Sequence, residues 1–228
     1  MKLGIIGLPQ CGKTTLFSAL THDYNPTGQK VVDGRAQIDT AIVSVPDERI
    51  DWLSTHYQPK KIYHAKITFQ DISGITTDKE SFPRSLLTIL SQVDGFIHVV
   101  RNFNDSNIPH PMQRIDAEKD INILLDEFAI ADMLTVDRRL ESLKSEWDKG
   151  GGRSRPEIEY EQKLFEQLHD ALETNYSVGA VHLDKQQQKL VSGFGFLTSK
   201  PMLIVLNSDD KSQNENSLVN TSRHNNLK

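Results

Sequence analysis

The sequence predicts an α/β fold in which a three-layer domain with a mostly parallel sheet carries an inserted antiparallel helical arm. Short apolar runs rich in Val and Ile recur along the chain, and helical segments separate them. One long segment before the last run has the periodicity of helices instead. The 228 residues are enough for one sizeable core with an appendage.

Five apolar runs are the predicted strands. Uninterrupted runs of this length are typical of strands that are buried on both faces. They span residues 3–7, 40–45, 65–72, 95–100 and 202–206. The stretch KTTLFSALT follows the first run and FPRSLLTILSQV precedes the fourth, and both are predicted helices. Because strands alternate with helices, we expect most strands to run parallel.

Residues 116–175, named the helical arm here, are predicted to form two antiparallel amphipathic helices of coiled-coil type. Large apolar side chains recur, mostly at spacings of three or four, on both sides of the interruption GGGRSRP. They are Ile121, Leu124, Phe128, Leu140, Leu143, Trp147, Ile158, Leu164, Phe165, Leu168 and Leu172. A helix of about 30 residues would reach roughly 45 Å. The alternative is a pair of ordinary helices folded onto the main core.

The predicted organisation has three parts. They are an α/β domain of residues 1–115 and 176–209, the helical arm of residues 116–175, and a polar tail of residues 210–228. The tail holds few large apolar side chains, so we expect it to be disordered. A further helix within LDKQQQKLVSGFGFL is expected to lead into the last strand.

The composition argues against several classes of partner. The formal net charge is -5, so no direct binding to DNA is expected from the charge of the whole chain. The first residues lack the apolar stretch of a signal peptide, and no apolar run approaches the roughly 20 residues of a membrane helix. A single cysteine cannot form an internal disulfide. We therefore expect a cytoplasmic protein without a membrane partner.

The first predicted strand leads directly into GLPQCGKTT, residues 7–15, which matches the P-loop pattern GxxxxGK[S/T]. Gly7 and Gly12 would let backbone N–H groups surround a phosphate at a helix N-terminus. Lys13 would reach the β- and γ-phosphates, and the Thr14 hydroxyl would ligate Mg²⁺. The nucleotide-binding residues predicted here are Gly7, Pro9, Gln10, Cys11, Gly12, Lys13, Thr14 and Thr15. The alternative is an ordinary glycine-rich turn between a strand and a helix.

Two later motifs favour the switch class of P-loop NTPases. FQDISG closes the third strand with Asp71 and Gly74 in a DxxG pattern, where the aspartate holds Mg²⁺ through a water and the glycine senses the γ-phosphate. After the last strand, VLNSDD has the outer positions of the base motif NKxD, with Ser208 in place of the lysine. The predicted roles are metal binding for Thr14 and Asp71, catalysis for Lys13 and Gly74, and nucleotide contact for Asn207 and Asp210.

Together these residues resemble the Obg-like ATPase (YchF) family of translation-factor-related P-loop NTPases. The resemblance covers residues 1 to about 210 and includes VPDERID, PKKI, FQDISG, DGFIHVVRNFNDSNIPH, DINILLDEFAIADMLTVDRRLESL and LTSKPMLIVLN. It implies a G domain with a coiled-coil arm inserted before the last base-recognition strand. It also implies hydrolysis of ATP, binding of GTP in many members, and association with ribosomes.

The chain departs from the family pattern at several positions. Ile75 stands where most switch GTPases have a catalytic glutamine, so hydrolysis should be slow without K⁺ or a partner. The first-switch threonine position falls on Arg35, and Asp210 stands where the family commonly has glutamate, so ATP and GTP both stay open. The family continues with a closing strand and helix of the G domain and a TGS domain. Since the sequence has neither, we interpret it as a truncated member.

Two functional hypotheses follow from these residues. The first is a ribosome-associated molecular switch that binds Mg²⁺ with ATP or GTP and hydrolyses the nucleotide slowly, with K⁺ as a second candidate cofactor. The second is a nucleotide- or partner-binding module that does not hydrolyse. For Cys11 there are also two interpretations: a small residue that the loop accepts, or a reactive thiol whose pKa is lowered by the loop amides and Lys13.

Overall fold

The computed structural model describes residues 1–21, 38–73, 82–105, 107–150 and 152–209. The strands are β1 Lys2–Ile6, β2 Ile38–Ser44, β3 Lys66–Ile72, β4 Gly95–Asn102 and β5 Met202–Ser208. The helices are α1 Lys13–Thr21, α2 Glu48–Tyr57, α3 Arg84–Ser91, α4 Ala117–Lys149, α5 Arg155–Asn175 and α6 Lys185–Val191, with short 3₁₀ turns at Val178–Ala180 and Ser192–Phe194. The predictions for Arg35, Gly74, Ile75, Asp210 and the tail lie outside the described residues.

The five predicted strands form one sheet in the order β2-β3-β1-β4-β5. The central strand β1 pairs in parallel with β3 and with β4, and β4 pairs in parallel with β5. Only β2 runs antiparallel, against β3. The prediction of an α/β fold with a mostly parallel sheet is therefore confirmed, and the carboxyl ends of four strands meet at one edge of the sheet.

The expectation that every strand is buried on both faces is wrong for the two edge strands. The last three residues of β1 and all residues of β4 except Asn102 are buried, as expected for the centre of a covered sheet. In β2, however, Ile42 is 67% exposed, and in β5 Leu203 is 50% exposed. An apolar run does not tell whether its strand lies at the centre or at the edge of the sheet.

The two faces of the sheet carry different helices, which gives the three-layer arrangement. On one face, Phe17 of α1 packs with Ile5, Phe69 and Val99 of the strands. The other face is covered by α3 and by the first half of α4, through side chains that include Leu86, Leu124 and Phe128. Burial of these large side chains supplies the main core.

The helix α4 takes part in two cores. Its second half leaves the sheet and packs against α5, where Val136 contacts a cluster that contains Phe165, Leu168 and Phe196. The two helices run antiparallel, and the Arg139 guanidinium binds the Glu161 carboxylate between them at 2.7 Å. The division into an α/β domain and a helical arm stays a prediction, because one continuous helix belongs to both.

A buried carboxylate fixes α4 to the segment before β5. Asp132 accepts hydrogen bonds from the backbone N–H groups of Leu197 and Thr198, at 2.9 and 2.8 Å, and from the Thr198 hydroxyl at 2.8 Å. Burial raises the pKa of Asp132 to about 6, against the opposing effect of these donors.

In the described part of the chain, none of the helices is long and apolar enough to cross a bilayer.

Candidate nucleotide-binding site

A cavity of about 610 Å³ lies at the carboxyl edge of the sheet, where β1 leads into α1. Its lining residues are Pro9, Gln10, Gly12, Lys13, Thr14, Thr15, Ser73, Phe103, Ile108 and Asn207. Seven of these residues were predicted from the sequence to contact the nucleotide. The sheet topology brings them together from the loop after β1, from α1 and from β5. In parallel α/β sheets, ligands bind at this edge.

The loop between β1 and α1 has a conformation that requires glycine at two positions. Gly7 has φ 150° and Gly12 has φ 101°. A Cβ on Gly7 would lie 2.3 Å from the Val99 carbonyl oxygen, and one on Gly12 would lie 2.3 Å from Asn207 Nδ2. Because neither space admits a Cβ and both φ values are positive, only glycine fits this loop conformation.

The Lys13 ammonium is held inside this loop at the N-terminus of α1. It donates hydrogen bonds to the carbonyl oxygens of Gly7 at 3.0 Å and of Leu8 at 2.8 Å. The positive charge and the positive end of the helix dipole therefore lie together at one wall of the cavity. This wall has the electrostatic character that a phosphate chain needs.

Thr14 and Asp71 meet beside Lys13, although they are 57 residues apart in the sequence. The Thr14 hydroxyl donates to Asp71 Oδ2 at 2.7 Å, whereas Asp71 Oδ1 is buried and has no hydrogen-bond partner among the described residues. Burial raises the pKa of Asp71, and the hydrogen bond from Thr14 and the charge of Lys13 oppose that effect. A hydroxyl beside an unpartnered carboxylate oxygen is a donor set that fits Mg²⁺.

Asn207 connects the end of β5 to the P-loop. Its side-chain amide donates to the carbonyl oxygen of Cys11 at 3.0 Å. Asp209, two residues further on, accepts a hydrogen bond of 3.2 Å from the backbone N–H of Asn104. The predicted base motif thus lies beside the cavity at Asn207, while Asp210 is outside the described residues.

Ser73, Phe103 and Ile108 also line the cavity, and none of the sequence motifs predicted a role for them. A buried arginine holds the loop after β4 in place. Arg101 donates to the carbonyl oxygens of Phe103 at 3.2 Å and of Ile108 at 2.9 Å, and its guanidinium lies 4.4 Å from the centre of the Phe103 ring. Phe103 and Ile108 could have been predicted as cavity residues from one feature only: their loop follows the carboxyl end of β4, the strand next to β1.

The Cys11 thiol is buried in this structure. Its side chain is 2% exposed and packs in the core with Phe17 and Ile5, so it does not line the cavity. Burial raises the pKa of the thiol, and this effect outweighs the charge of Lys13. The hypothesis of a lowered pKa is therefore wrong, and only the backbone of Cys11 is placed to take part in the site.

The chain matches a family model described as "50S ribosome-binding GTPase" over residues 2–136. It is 35% identical to the ribosome-binding ATPase YchF of Bacillus subtilis over 226 residues, which cover 93% of this chain and 59% of that protein. It is 29% identical to Obg-like ATPase 1 of Schizosaccharomyces pombe, over 92% of this chain and 55% of that protein.

The fold is also similar to a solved structure, that of the Schizosaccharomyces pombe YchF GTPase. The TM-score is 0.71 at 28% identity, and the match covers 92% of this chain and 57% of the other. The chain thus spans somewhat more than half the length of the proteins it matches.

Proposed function

The chain belongs to the 50S ribosome-binding GTPase family of P-loop NTPases and is similar to YchF and Obg-like ATPases, and on that premise we propose a slow, Mg²⁺-dependent nucleotide switch. It would bind ATP or GTP, hydrolyse the nucleotide slowly and associate with ribosomes. A ribosomal partner would also locate the chain in the cytoplasm.

One observation carries this proposal: the Lys13 ammonium and the hydrogen-bonded pair of Thr14 and Asp71 lie beside a loop in which Gly7 and Gly12 leave no room for a Cβ. Lys13 would move from the carbonyl oxygens of the loop to the β- and γ-phosphates when a triphosphate enters. The N–H groups around Gly12 and at the start of α1 would donate to the phosphate oxygens.

Thr14 and Asp71 would hold the metal, Thr14 directly and Asp71 through a water. When bound, Mg²⁺ neutralises charge on the phosphates and fixes their orientation. The contribution of this chain is to bury Asp71, which is 2% exposed, and to leave its Oδ1 without a partner among the described residues, so that a nearby cation would stabilise the charged carboxylate. K⁺ is proposed as a second cofactor, because Ile75 has no group that could orient a water.

The far end of the cavity would accept the purine. The Phe103 ring and the Ile108 side chain supply an apolar surface for stacking, and Asn207 lies beside them. Stacking of this kind does not distinguish adenine from guanine. We therefore propose that both nucleotides bind and that any preference comes from Asp210.

The helical arm would report the state of the site to the partner. Asp132 of α4 holds the segment that leads into β5, and Asn207 at the end of β5 holds the P-loop. A shift of the loop on nucleotide binding could thus reach α4 through β5. We propose residues 116–175 as the element that moves and residues 1–115 with 176–209 as the nucleotide domain.

Single-turnover hydrolysis tests the proposal. Purified chain is mixed with limiting ATP or GTP, with and without K⁺ and with and without ribosomes, and phosphate release is compared with that of Lys13→Ala. Release above that control in at least one condition is expected. If no condition exceeds the control while the nucleotide still binds, the chain is the non-hydrolysing module instead.

A further inference from the structure

An exposed aromatic and basic surface lies on α2 and on the loop that follows it. None of the side chains of α2 is buried, although the helix carries two large aromatic residues. Trp52 is 65% exposed and Tyr57 72%, and Tyr63 in the loop is 76% exposed. We name the α2 surface by its members, which are Trp52, His56, Tyr57, Lys60, Lys61, Tyr63 and Lys66. Exposed aromatic groups of this size mark a contact site.

The aromatic rings of this surface are close to one another. The Trp52 ring stacks on the His56 ring, with 5.4 Å between centres and 4° between planes, and Tyr57 meets His56 edge-on at 4.9 Å. His64 returns to α2, where its Nε2 lies 3.5 Å from the Asp51 carboxylate. This contact keeps the loop with Tyr63 near the helix.

The charge of the α2 surface is opposite to that of the whole chain. The sequence has no Asp or Glu from residue 52 to residue 70, while the chain has a net charge of -5. Lys60, Lys61 and Lys66 are exposed and form no salt bridge with a carboxylate in the described part of the chain. By contrast, Arg139 and Arg153 of the helical arm are paired with the Glu161 carboxylate.

Among the described residues from 38 to 70, the acidic side chains next to this surface lie at the start of α2. Asp47 is paired with Arg49 at 2.7 Å, Asp51 faces His64, and Glu48 lies in the first helical turn. The three lysines follow the helix, with Lys60 and Lys61 in the loop and Lys66 at the start of β3. No carboxylate of the described residues pairs with their ammonium groups, which are exposed to an anionic partner.

We infer that the α2 surface binds single-stranded RNA. Exposed rings offer stacking faces to unpaired bases of any sequence, and nearby lysines contact the phosphates between those bases. A protein partner would account for the exposed aromatic rings but not for the three lysines, because aromatic residues are enriched in protein interfaces whereas lysine is depleted there. The inference rests on the proposed association with ribosomes and specifies RNA as the contact.

The α2 surface is remote from the nucleotide site. β3 runs from Lys66, at the α2 surface, to Asp71 and Ile72 beside the P-loop. At about 3.3 Å per residue, this strand separates the two sites by roughly 20 Å. RNA and nucleotide should therefore bind independently, so substitutions on the α2 surface should leave nucleotide affinity unchanged.

Fluorescence anisotropy with a fluorescein-labelled 20-nucleotide poly(U) RNA tests the inference on the full chain. Trp52→Ala and Tyr63→Ala should each weaken binding by about fivefold or more, since each removes a stacking face. The double variant Lys60→Glu and Lys61→Glu should make the plot of log affinity against log salt less steep. Its negative slope should shrink in magnitude by about 1.4, because two phosphate contacts are lost.

Matched controls are available on the helical arm. Tyr160→Ala removes another exposed ring, and Lys144→Glu with Lys149→Glu makes the same charge change on α4. These controls should bind the RNA like the wild type. Binding of a fluorescent nucleotide to every variant shows whether it is folded and whether the P-loop site is intact.

Two results would overturn the inference: a wild type that does not bind the RNA, or α2 variants that bind it as tightly as the arm controls. If the wild type does not bind the free RNA, but the α2 variants no longer sediment with ribosomes as the wild type does, the partner is a protein and the RNA assignment is wrong. If RNA binds but nucleotide does not, the α2 inference stands and the proposed nucleotide switch fails.

Discussion

The Thr14 hydroxyl donates a 2.7 Å hydrogen bond to the Asp71 carboxylate, and the second oxygen of that carboxylate is buried without a partner among the described residues. This pair joins the start of α1 to the end of β3, two elements that the sequence separates widely. A buried anionic oxygen without a partner is costly unless a cation accompanies the ligand.

Replacing Asp71 with asparagine tests the metal assignment. The amide oxygen can still accept the bond from Thr14, but the negative charge is lost. Mg²⁺ should increase the nucleotide affinity of the wild type, and this increase should be at least about tenfold smaller in the variant, or about 1.4 kcal/mol. The affinity measured in EDTA should change little. Titration with a fluorescent nucleotide measures both. Asp170→Asn, the same change at an exposed site on α5, is the control, and an equal Mg²⁺ effect in both variants would contradict the assignment.

Gly7→Ala should destroy the P-loop. The new Cβ would lie 2.3 Å from a backbone oxygen of β4, and the residue would keep a φ of 150°. Since a strand in the centre of the sheet cannot yield, we expect a loss of about 2 kcal/mol or more in the free energy of unfolding and no nucleotide binding. Urea denaturation provides the measurement.

Gly152→Ala is the matched control for this change, because no described atom lies within 4 Å of its added Cβ. Its free energy of unfolding should stay within about 0.5 kcal/mol of the wild type. Normal nucleotide affinity in Gly7→Ala would show that the loop adopts another conformation.

Cys11 should react slowly with iodoacetamide at pH 8, whether or not nucleotide is present. Its thiol is 2% exposed and its pKa is raised by burial, so both access and thiolate fraction are low. Mass spectrometry of the labelled chain follows the rate, with the urea-unfolded chain as the fast reference. A folded chain that reacts as fast as the unfolded one, and is protected by nucleotide, would restore the reactive-thiol hypothesis.

Asp132 should make the stability of the chain depend on pH. Its pKa is raised from 3.8 to about 6 in the folded state, chiefly by burial, so the folded state binds the extra proton between these values. The associated stabilisation is complete below pH 3.8 and is lost as the pH rises through about 6. The shift corresponds to at most about 3 kcal/mol.

The measurement is the free energy of unfolding of the wild type relative to Asp132→Asn, between about pH 4.5 and pH 7.5. We expect this difference to decrease as the pH rises. A difference that increases with pH would mean that the three donors to Asp132 dominate over burial and keep its folded pKa below 3.8.

The sheet was accessible from the sequence because its strands are short Val- and Ile-rich runs between turn residues. The direction of β2 was not, since the connection to β3 contains a helix and resembles a parallel crossover. The helix α2 also gave no signal, because it has no buried side chain and hence no apolar stripe.

The two walls of the cavity also differ in how far the sequence predicts them. The phosphate wall was predictable because Gly7, Gly12 and Lys13 are needed by a local loop conformation. The other wall, at Phe103 and Ile108, depends on the buried guanidinium of Arg101, which is a tertiary contact. Likewise, a continuous stripe on α4 does not tell which partner each half of the helix contacts.

Calorimetric titration of the chain with ATP, GTP and their diphosphates, with Mg²⁺ and with EDTA, tests the central claim most directly. At least one triphosphate should bind with one-to-one stoichiometry and more tightly with Mg²⁺, and Lys13→Ala should weaken it by about tenfold or more, since a charge-assisted contact is lost. Absence of binding heat for both triphosphates at several temperatures, or equal affinity of the wild type and Lys13→Ala, would contradict the account.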